Sequence, residues 1–321
     1  MKKIPSYADV NDAVQRLKGH ATKTPLLRAE SIDKRLGKQI WFKAECLQKK
    51  NAFKYRGAFN RLAAMNEAER ARGVVAFSSG NHAQGVSCAA KELGLDAIIV
   101  MPSDAPKVKV EGVLADGATI ISYDRASESR EEIAAAIAKR DGRTLVPSFD
   151  DPFIIAGQGT IGVELANAKP EFEAVVTCLG GGGLCAGISL ALNELSPKTL
   201  IFGAEPEAYN DHQRSLRARK RTRLKSTPPS ICDAILTPMP GELTWPINSK
   251  SLRDVYTVSD EACLHAIKVA YEELNVVLEP GGAAAMAAVL AGHLPESVKT
   301  VAVILSGGNV DPDVFAMAIH G

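Results

Sequence analysis

Short apolar runs that alternate with amphipathic segments most restrict the fold of this 321-residue chain. The run VAVIL at residues 301–305 is continuously apolar, as in parallel strands that helices cover on both faces. Strand followed by helix, repeated along the chain, predicts an α/β protein with right-handed crossovers. The predicted strands are residues 74–79, 97–102, 118–123, 144–148, 174–179, 200–205, 255–258 and 301–306. The predicted helices include residues 85–93, 129–139, 160–166, 184–195, 260–274 and 282–291.

The chain is long enough for two domains, each with a core of its own. A first group of strand–helix units spans roughly residues 73–150, and a second group begins after Asp150-Asp151-Pro152. We therefore predict a small domain of residues 66–150, and a large domain that combines residues 1–65 with residues 151–321. Ligands of such sheets bind at the carboxyl ends of the strands. The glycine-rich motifs of this chain follow predicted strands, so they are predicted to face one cleft.

Composition and charge indicate a cytoplasmic protein with a small-molecule partner. The net charge is +1, so neither a nucleic acid nor an anionic membrane is indicated as a partner. The basic segment of residues 214–225 has seven cations and no aromatic residue, and it is interpreted as a solvated helix face. Six cysteines lack metal-type spacing, and the N-terminus MKKIPSYADV lacks the apolar region of a signal peptide. No apolar run reaches the ~18 residues that a membrane helix requires.

Lys54 is the first candidate for chemistry. It lies in the segment NAFKYRGA, residues 51–58, at the start of a predicted helix. A lysine in such a position is usually solvated, but its apolar neighbours Ala52 and Phe53 favour desolvation, which lowers the pKa of an amine. An amine that is deprotonated near neutral pH is what Schiff-base chemistry requires.

Two loops at predicted strand ends have the composition of anion sites. Ser78-Ser79-Gly80-Asn81-His82 precedes a predicted helix, whose first backbone amides suit a carboxylate. A polar loop with a simple helix cap is the alternative for this segment. Four glycines at residues 180–183 precede another helix and suit a phosphate monoester. Together with Lys54, these loops predict a pyridoxal phosphate site.

The same glycines leave a second cofactor class open. Gly181, Gly183 and Ala186 satisfy the G-x-G-x-x-A pattern of dinucleotide sites, between a predicted strand and a predicted helix. Glu205 ends the next predicted strand, near the position of a ribose-binding acid. A nicotinamide-dependent oxidoreductase is therefore the alternative from another class. Glu205 also lies six residues before Asp211, and such oxygens suit a hard divalent cation, although the residues alone favour a solvated acidic turn.

With these motifs in order, the chain resembles the fold-type II pyridoxal-phosphate enzymes, in the branch of threonine/serine dehydratases and serine racemases. The resemblance extends over nearly the whole length and implies a tryptophan synthase β-like fold of two domains, with twisted, mostly parallel sheets covered by helices. It implies that Lys54 is the Schiff-base lysine and that Ser306 lies at the pyridine nitrogen. The implied cofactor-binding residues are Phe53, Lys54, Asn81, Gly180, Gly181, Gly182, Gly183, Leu184, Glu279, Ser306 and Gly307.

The resemblance also implies a substrate site and a metal site. Ser79 would face Lys54 across the cofactor. The implied substrate-binding residues are Ser78, Ser79, Gly80, Asn81, His82 and Arg130. The implied ligands of a magnesium, manganese or calcium ion are Glu205, the carbonyl of Tyr209, and Asp211. Asn51, and residues 237–241 with the sequence TPMPG, depart from the pattern of the family and affect the expected substrate rather than the chemistry.

The resemblance implies a dehydratase that converts L-threonine or L-serine to a 2-keto acid and ammonia. A serine hydroxyl at the pyridine nitrogen makes the ring a weaker electron sink than a carboxylate would, which favours loss of a β-hydroxyl. The alternatives with the same residues are a threo-3-hydroxyaspartate dehydratase and a serine or aspartate racemase. We expect a small hydroxy amino acid as the substrate, and a homodimer or a higher homo-oligomer as the assembly.

Overall fold

The computed structural model describes residues 3–105 and 107–321, and it contains the two predicted kinds of element in alternation. The strands are β1 Leu26–Leu27, β2 Gln39–Lys43, β3 Val74–Phe77, β4 Ala97–Pro102, β5 Thr119–Tyr123, β6 Thr144–Leu145, β7 Ala174–Cys178, β8 Leu200–Pro206, β9 Leu252–Val258 and β10 Thr300–Ile304. They form a six-stranded sheet in the order β1-β2-β10-β7-β8-β9 and a four-stranded sheet in the order β5-β4-β3-β6. Every pair is parallel except β1 with β2, so the predicted α/β fold class is confirmed.

Helices cover both sheets. They are α1 Tyr7–Leu17, α2 Glu30–Leu36, α3 Lys54–Ala63, α4 Glu67–Arg72, α5 Asn81–Leu93, α6 Lys107–Leu114, α7 Arg130–Asp141, α8 Pro152–Ala166, α9 Gly183–Leu195, α10 Asp211–Ala218, α11 Trp245–Ser251, α12 Asp260–Leu274, α13 Pro280–Leu290 and α14 Pro312–His320. Within the described residues, no helix combines the length and the apolar character that crossing a bilayer requires.

All eight predicted strands exist with ends displaced by at most three residues, and two strands were missed. β1 has only two residues, and β2 begins and ends on polar side chains, so neither carries a clear periodic signal. β6 ends at Leu145 rather than at residue 148, because only Thr144 and Leu145 pair with β3. The chain then leaves the sheet, and residues 147–150 continue along the wall of a cleft.

The parallel pairing brings the ends of the central strands to one edge of each sheet. β10 lies between β2 and β7, with Val301 level with Ile40 on one side and Ala174 on the other. Its buried residues pack with those of α13, a helix of small and apolar side chains. The four-stranded sheet uses only residues 74–145, which all lie within the predicted small domain of residues 66–150. The domain boundaries stay a prediction.

Buried ion pairs anchor the helix that begins at Lys54. The Arg56 guanidinium is 1% exposed, and its Nε and Nη2 atoms each donate to the Glu45 carboxylate at 2.8 Å. Its Nη1 atom donates to Glu164 at 2.6 Å. Two parallel bonds to one carboxylate fix the guanidinium in orientation as well as in distance. The start of α3 is therefore held rigidly against the large sheet and α8.

Candidate active site

A cleft of about 750 Å³ lies where the chain leaves β3, β7 and β10, as the strand-end motifs predicted. Fifteen of the predicted site residues line it: Phe53, Lys54, Ser78, Ser79, Gly80, Asn81, His82, Arg130, Gly180, Gly181, Gly182, Gly183, Leu184, Glu279 and Ser306. Gly307 lies behind the wall, where its carbonyl accepts a hydrogen bond of 3.1 Å from the Glu279 amide. The predicted metal ligands are not among the lining residues.

The Lys54 amine is positioned on the floor of this cleft. Its Nζ atom donates to the carbonyl of Ser148 at 2.8 Å and lies 5.1 Å from the centre of the Phe53 ring. The side chain is partly open to the cleft, but burial of the amine lowers its pKa from 10.5 to about 8, and the charges of Cys178 and Glu279 only partly oppose this. A substantial fraction of the amine is therefore neutral slightly above pH 7, as the apolar neighbours predicted.

The glycine turn has the backbone geometry of a phosphate cradle. The carbonyls of Gly181 and Gly182 accept hydrogen bonds from Thr244 Oγ1 at 2.6 Å and Asn248 Nδ2 at 3.1 Å. In a trans peptide the N–H points opposite to the carbonyl, so the next amides are directed away from these partners. A side chain at Gly181 would overlap the ring of Phe149. The turn leads into the 13-residue helix α9, whose N-terminal dipole favours an anion.

The serine-rich turn forms the facing wall at the start of the 13-residue helix α5. The Ser78 hydroxyl accepts a hydrogen bond of 3.1 Å from the Gly80 amide, which sets the turn. His82 Nε2 lies 2.8 Å from the carbonyl of Val146, so it carries the proton and Nδ1 is an acceptor. Burial, with help from the charge of Lys54, lowers the pKa of His82 to about 3. His82 is consequently neutral, and its buried Nδ1 atom has no hydrogen-bond partner in the described residues, so it can accept a hydrogen bond but cannot donate a proton.

A chain of amide side chains connects the cleft to the segment after β10. Asn309 Nδ2 donates to Asn81 Oδ1 at 2.7 Å, and Asn81 Nδ2 donates to Glu279 Oε1 at 2.5 Å. Burial raises the pKa of Glu279 to about 7, with the nearby charge of Asp233 adding to the effect. Asn51 Nδ2 joins the chain through Asn309 Oδ1 at 3.2 Å, so the residue that departs from the family pattern supports the wall of the site.

Ser306 offers a neutral hydroxyl to the cleft. The residue is 3% exposed, and its Oγ atom accepts a hydrogen bond from the Cys178 thiol at 3.3 Å. The backbone ties this position to the lysine segment, because the Phe53 amide donates to the Ser306 carbonyl at 3.1 Å. A desolvated amine, a four-glycine cradle and a buried hydroxyl in one cleft fit the aldehyde, phosphate and ring nitrogen of pyridoxal phosphate.

Arg130 lies at the edge of the cleft. Its Nε atom donates to Glu131 Oε1 at 2.9 Å, and its guanidinium stands 5.6 Å from the centre of the Phe77 ring. The side chain is 42% exposed. Two interpretations are compatible with its position, because Arg130 forms a surface ion pair with Glu131 and also lines the cleft. Its role in substrate binding stays a prediction.

The role of the Tyr209 carbonyl as a metal ligand stays a prediction. The other two predicted metal ligands, Glu205 and Asp211, form a separate buried cluster with His212, here called the acidic site. One ligand atom from each lies within 4.8 Å of the others. Glu205 accepts hydrogen bonds from the amides of His212 at 3.1 Å and Gln213 at 2.9 Å. Burial raises the pKa of both carboxyl groups, and Asp211 raises that of Glu205 further. Adjacent buried carboxylates suit a divalent cation, which would relieve their repulsion.

The acidic site touches the glycine turn from behind. A Cβ atom placed on Gly182 would lie 2.8 Å from His212 Nε2, which shows how closely the imidazole approaches the turn. Sequence analysis did not single out His212, although its position directly after Asp211 was a usable signal. The same cluster argues against the nicotinamide alternative. Glu205, the proposed ribose-binding acid, is 0% exposed here and does not line the cleft.

Several cleft residues were not predicted. Residues 147–150, 233–236 and 242 line the cleft beside residues 237–241, which sequence analysis had associated with the substrate. Lys109 crosses from α6 to pair with Asp233 at 3.4 Å. The interpretation of residues 214–225 as one helix face was wrong in its second half. Helix α10 ends at Ala218, and Arg221 and Arg223 line the cleft. The position of Arg221 and Arg223 on the cleft wall could not be predicted from composition, because a run of basic residues usually forms a solvated face.

Comparisons with known proteins agree with pyridoxal phosphate as the cofactor of this chain. The family described as pyridoxal-phosphate dependent enzyme matches residues 17–307. L-threo-3-hydroxyaspartate ammonia-lyase of Pseudomonas sp is 42% identical over 99% of this chain and 99% of its own length. Serine racemase of Schizosaccharomyces pombe is 41% identical over 98% of this chain and 97% of its own length. The crystal structure of threonine deaminase from T.th. superposes with a TM-score of 0.88 at 43% identity, covering 96% of this chain and 99% of that one.

Proposed function

We propose an activity for this chain from its family, because it belongs to the pyridoxal-phosphate dependent enzymes. The proposed reaction removes water from a small L-3-hydroxy amino acid and releases a 2-keto acid and ammonia. The observation that carries the proposal is the convergence of three groups on one cleft. They are the Lys54 amine, the glycine turn of residues 180–183, and the serine-rich turn of residues 78–82. Two relatives named L-threo-3-hydroxyaspartate ammonia-lyase support this activity, since they are 42% and 43% identical over 99% of this chain.

Pyridoxal phosphate, when bound, supplies a carbonyl that takes up amines and a conjugated ring that delocalises negative charge from the α-carbon. Lys54 is the group placed to hold it and to move a proton. With a pKa of about 8 the free amine is partly unprotonated at neutral pH, and the Ser148 carbonyl fixes its direction. A base whose pKa lies near the working pH removes protons efficiently.

The serine-rich turn is proposed to receive the carboxylate of the substrate. Helix α5 directs its N-terminal amides at the cleft, and the hydroxyls of Ser78 and Ser79 add further donors. Ser306 is proposed to meet the ring nitrogen with a neutral hydroxyl. A hydroxyl there provides no charge to balance a protonated nitrogen, and this favours prompt departure of a β-hydroxyl over a long-lived carbanion.

L-Threonine, L-serine and L-threo-3-hydroxyaspartate are the candidate substrates. An arginine on the cleft wall favours the dicarboxylate, because a guanidinium reads a carboxylate through two parallel hydrogen bonds. Arg130, at the cleft edge, is the residue that the family resemblance implies for this role. A relative named L-threo-3-hydroxyaspartate ammonia-lyase supports the dicarboxylate as well. Relative kcat/KM values for the three amino acids, measured as keto acid released, distinguish the candidates.

Racemisation is the alternative reaction of the same residues. It needs a proton donor on the face of the substrate opposite Lys54, and Ser79 is the proposed group. A relative named serine racemase supports this alternative. Ser79→Ala is expected to abolish interconversion of L- and D-serine while elimination from L-serine falls less. An equal loss of both reactions would assign Ser79 to positioning alone.

The decisive test of the proposed function is Lys54→Ala with Lys23→Ala, an exposed lysine, as the matched control. We expect Lys54→Ala to lose keto-acid formation and the near-ultraviolet or visible absorbance of the covalently held cofactor, with an unchanged circular dichroism spectrum. The control keeps both properties. A Lys54→Ala protein that retained the absorbance and the activity would refute the assignment.

Three further properties belong to the proposal. A magnesium, manganese or calcium ion is proposed to bind at the acidic site and to stiffen the adjacent glycine turn.

A cytoplasmic location is supported by the six cysteines, which are all free. A homodimer or higher homo-oligomer is supported by Tyr271, Val277 and Met317, which leave large apolar side chains exposed. Sedimentation analysis of the holoenzyme tests the oligomeric state.

A further inference from the structure

Arg223 is an unpaired cation on the wall of the active-site cleft. Its side chain is exposed and lines the cleft, and it makes no ion pair or hydrogen bond with any other residue in the described ranges 3–105 and 107–321. All five of its N–H donors are therefore available to a ligand, and no carboxylate of the protein has to be displaced first. A cation that faces a cleft attracts anions strongly, because the low-dielectric walls concentrate its field. The position suits an anionic partner that is not part of the chain.

The other cations of the cleft are already engaged. The Lys54 amine donates to the Ser148 carbonyl. The ion pairs are Lys109 with Asp233 at 3.4 Å, Arg130 with Glu131 at 2.9 Å and Arg221 with Glu242 at 3.1 Å. Arg223 thus differs from its neighbour Arg221, which lies in the same segment but is neutralised by a carboxylate of the protein.

The backbone on both sides of Arg223 is fixed. The Thr222 amide donates to Ser215 Oγ at 2.9 Å, and the Leu224 amide donates to the Pro238 carbonyl at 2.8 Å. The Leu224 side chain is 7% exposed and packs inward. Pro238 belongs to residues 237–241, which line the same cleft. Arg223 is therefore presented by an anchored segment, which limits the entropy lost when its side chain binds a ligand.

We propose that Arg223 is the specificity-determining residue that binds a second, distal carboxylate, and that the enzyme therefore prefers a dicarboxylic 3-hydroxy amino acid. The inference rests on the proposed function, because it concerns the substrate of the same site. The two other anions of the reaction have sites of their own. The glycine turn suits the cofactor phosphate, and the serine-rich turn suits the α-carboxylate. A further carboxylate is the anion that remains to neutralise Arg223.

The test compares Arg223→Met with Arg221→Met in the holoenzyme. Methionine keeps an unbranched stem and removes the charge, and Arg221 is the matched control because its charge already has a partner. For wild type we expect a higher kcat/KM for L-threo-3-hydroxyaspartate than for L-serine. In Arg223→Met the ratio of these two values falls about 5- to 20-fold. This expected fall is smaller than the loss of affinity that follows when a buried charge pair is broken, because water reaches the exposed side chain of Arg223 and weakens its interactions. In Arg221→Met the ratio changes less than about twofold.

Binding of unreactive amino acids gives a second readout that does not depend on elimination. L-Aspartate and L-alanine lack the β-hydroxyl, and their dissociation constants are obtained from the change in absorbance of the bound cofactor. We expect Arg223→Met to remove the advantage of L-aspartate over L-alanine, and Arg223→Lys to restore it only in part, since an ammonium lacks the planar fork of the guanidinium.

Three outcomes would overturn the inference. One is an Arg223→Met protein with an unchanged ratio in both readouts. Another is loss of the ratio in Arg130→Met while Arg223→Met keeps it, which would assign the distal carboxylate to Arg130. The third is a wild type that binds L-alanine as tightly as L-aspartate. A wild type that eliminates from no hydroxy amino acid but still prefers L-aspartate would refute the proposed function and leave the assignment of Arg223 supported.

Discussion

Replacing Lys54 by methionine is expected to stabilise the cofactor-free protein at neutral pH. In the absence of the cofactor, the amine is mostly an ammonium ion at pH 7 in both the folded and the unfolded state. Burial lowers its pKa from 10.5 to about 8, so the folded state holds this charge at a cost. Methionine fills a similar volume without the charge, and the Ser148 carbonyl that loses its donor faces the water of the cleft.

The size and the pH dependence of the effect follow from the pKa. One pKa unit corresponds to ~1.4 kcal/mol, so the cost at pH 7 is at most about 3 kcal/mol. Water in the open cleft screens the charge, and about 1–3 kcal/mol is the expected gain. Because the folded pKa lies below the unfolded one, the folded protein binds fewer protons between pH 8 and 10.5. Wild type therefore gains stability relative to the variant over this interval, and the difference falls below ~1 kcal/mol at pH 10.

Urea unfolding of the cofactor-free proteins at pH 7 and pH 10, followed by circular dichroism, measures the difference. Comparing two proteins at each pH cancels every titration that they share. Lys23→Met, at an exposed lysine, is the control, and its effect is expected to stay within ~0.5 kcal/mol at both values. A Lys54→Met protein that is less stable than wild type at pH 7, or a difference that does not change with pH, would refute the reasoning.

Three other perturbations have definite expected outcomes. Arg56→Met leaves the Glu45 carboxylate buried without its partner, so urea unfolding is expected to show a loss of about 3–5 kcal/mol, and a loss below ~1 kcal/mol would contradict this. Gly181→Ala pushes a methyl group into the Phe149 ring, and titration with pyridoxal phosphate is expected to show affinity reduced about tenfold or more; unchanged affinity would mean that the turn adjusts freely. Chelator is expected to lower the Tm by at least ~2 °C, with recovery on adding magnesium, manganese or calcium, and a Tm that ignores both treatments would exclude a cation at the acidic site.

The strands that position the site could be predicted because they are buried on both faces. β3, β7 and β10 are largely unbroken apolar runs, so burial alone distinguishes them from their surroundings. The convergence of their loops then followed from parallel pairing, which places the carboxyl ends of neighbouring strands at one edge. The strands β1 and β2 lack an apolar run of this kind. β1 has only two residues, both half-buried, and β2 begins with a glutamine and ends with a lysine.

The contacts of the loops could not be predicted in the same way. Phe149 reaches the glycine turn because β6 stops early, and Arg223 reaches the cleft because α10 stops at Ala218. Both events depend on tertiary contacts such as the bond from the Leu224 amide to the Pro238 carbonyl. Hydrophobic periodicity contains no information on such contacts, and composition alone made the basic segment look like a solvated helix.

The wall that carries Arg223 has a consequence for how this protein can change over time. Residues 219–244, which the structure describes in full, contain a single short 3-10 helix at Asp233–Ile235, whereas Lys54 begins a helix locked by buried ion pairs. Substitutions in an irregular surface segment usually cost little stability, while those in a packed ion network cost much. Substitutions in residues 219–244 can therefore change which amino acid the cleft binds at little cost in stability. The segment around Lys54, the residue proposed to move the proton, tolerates far fewer substitutions.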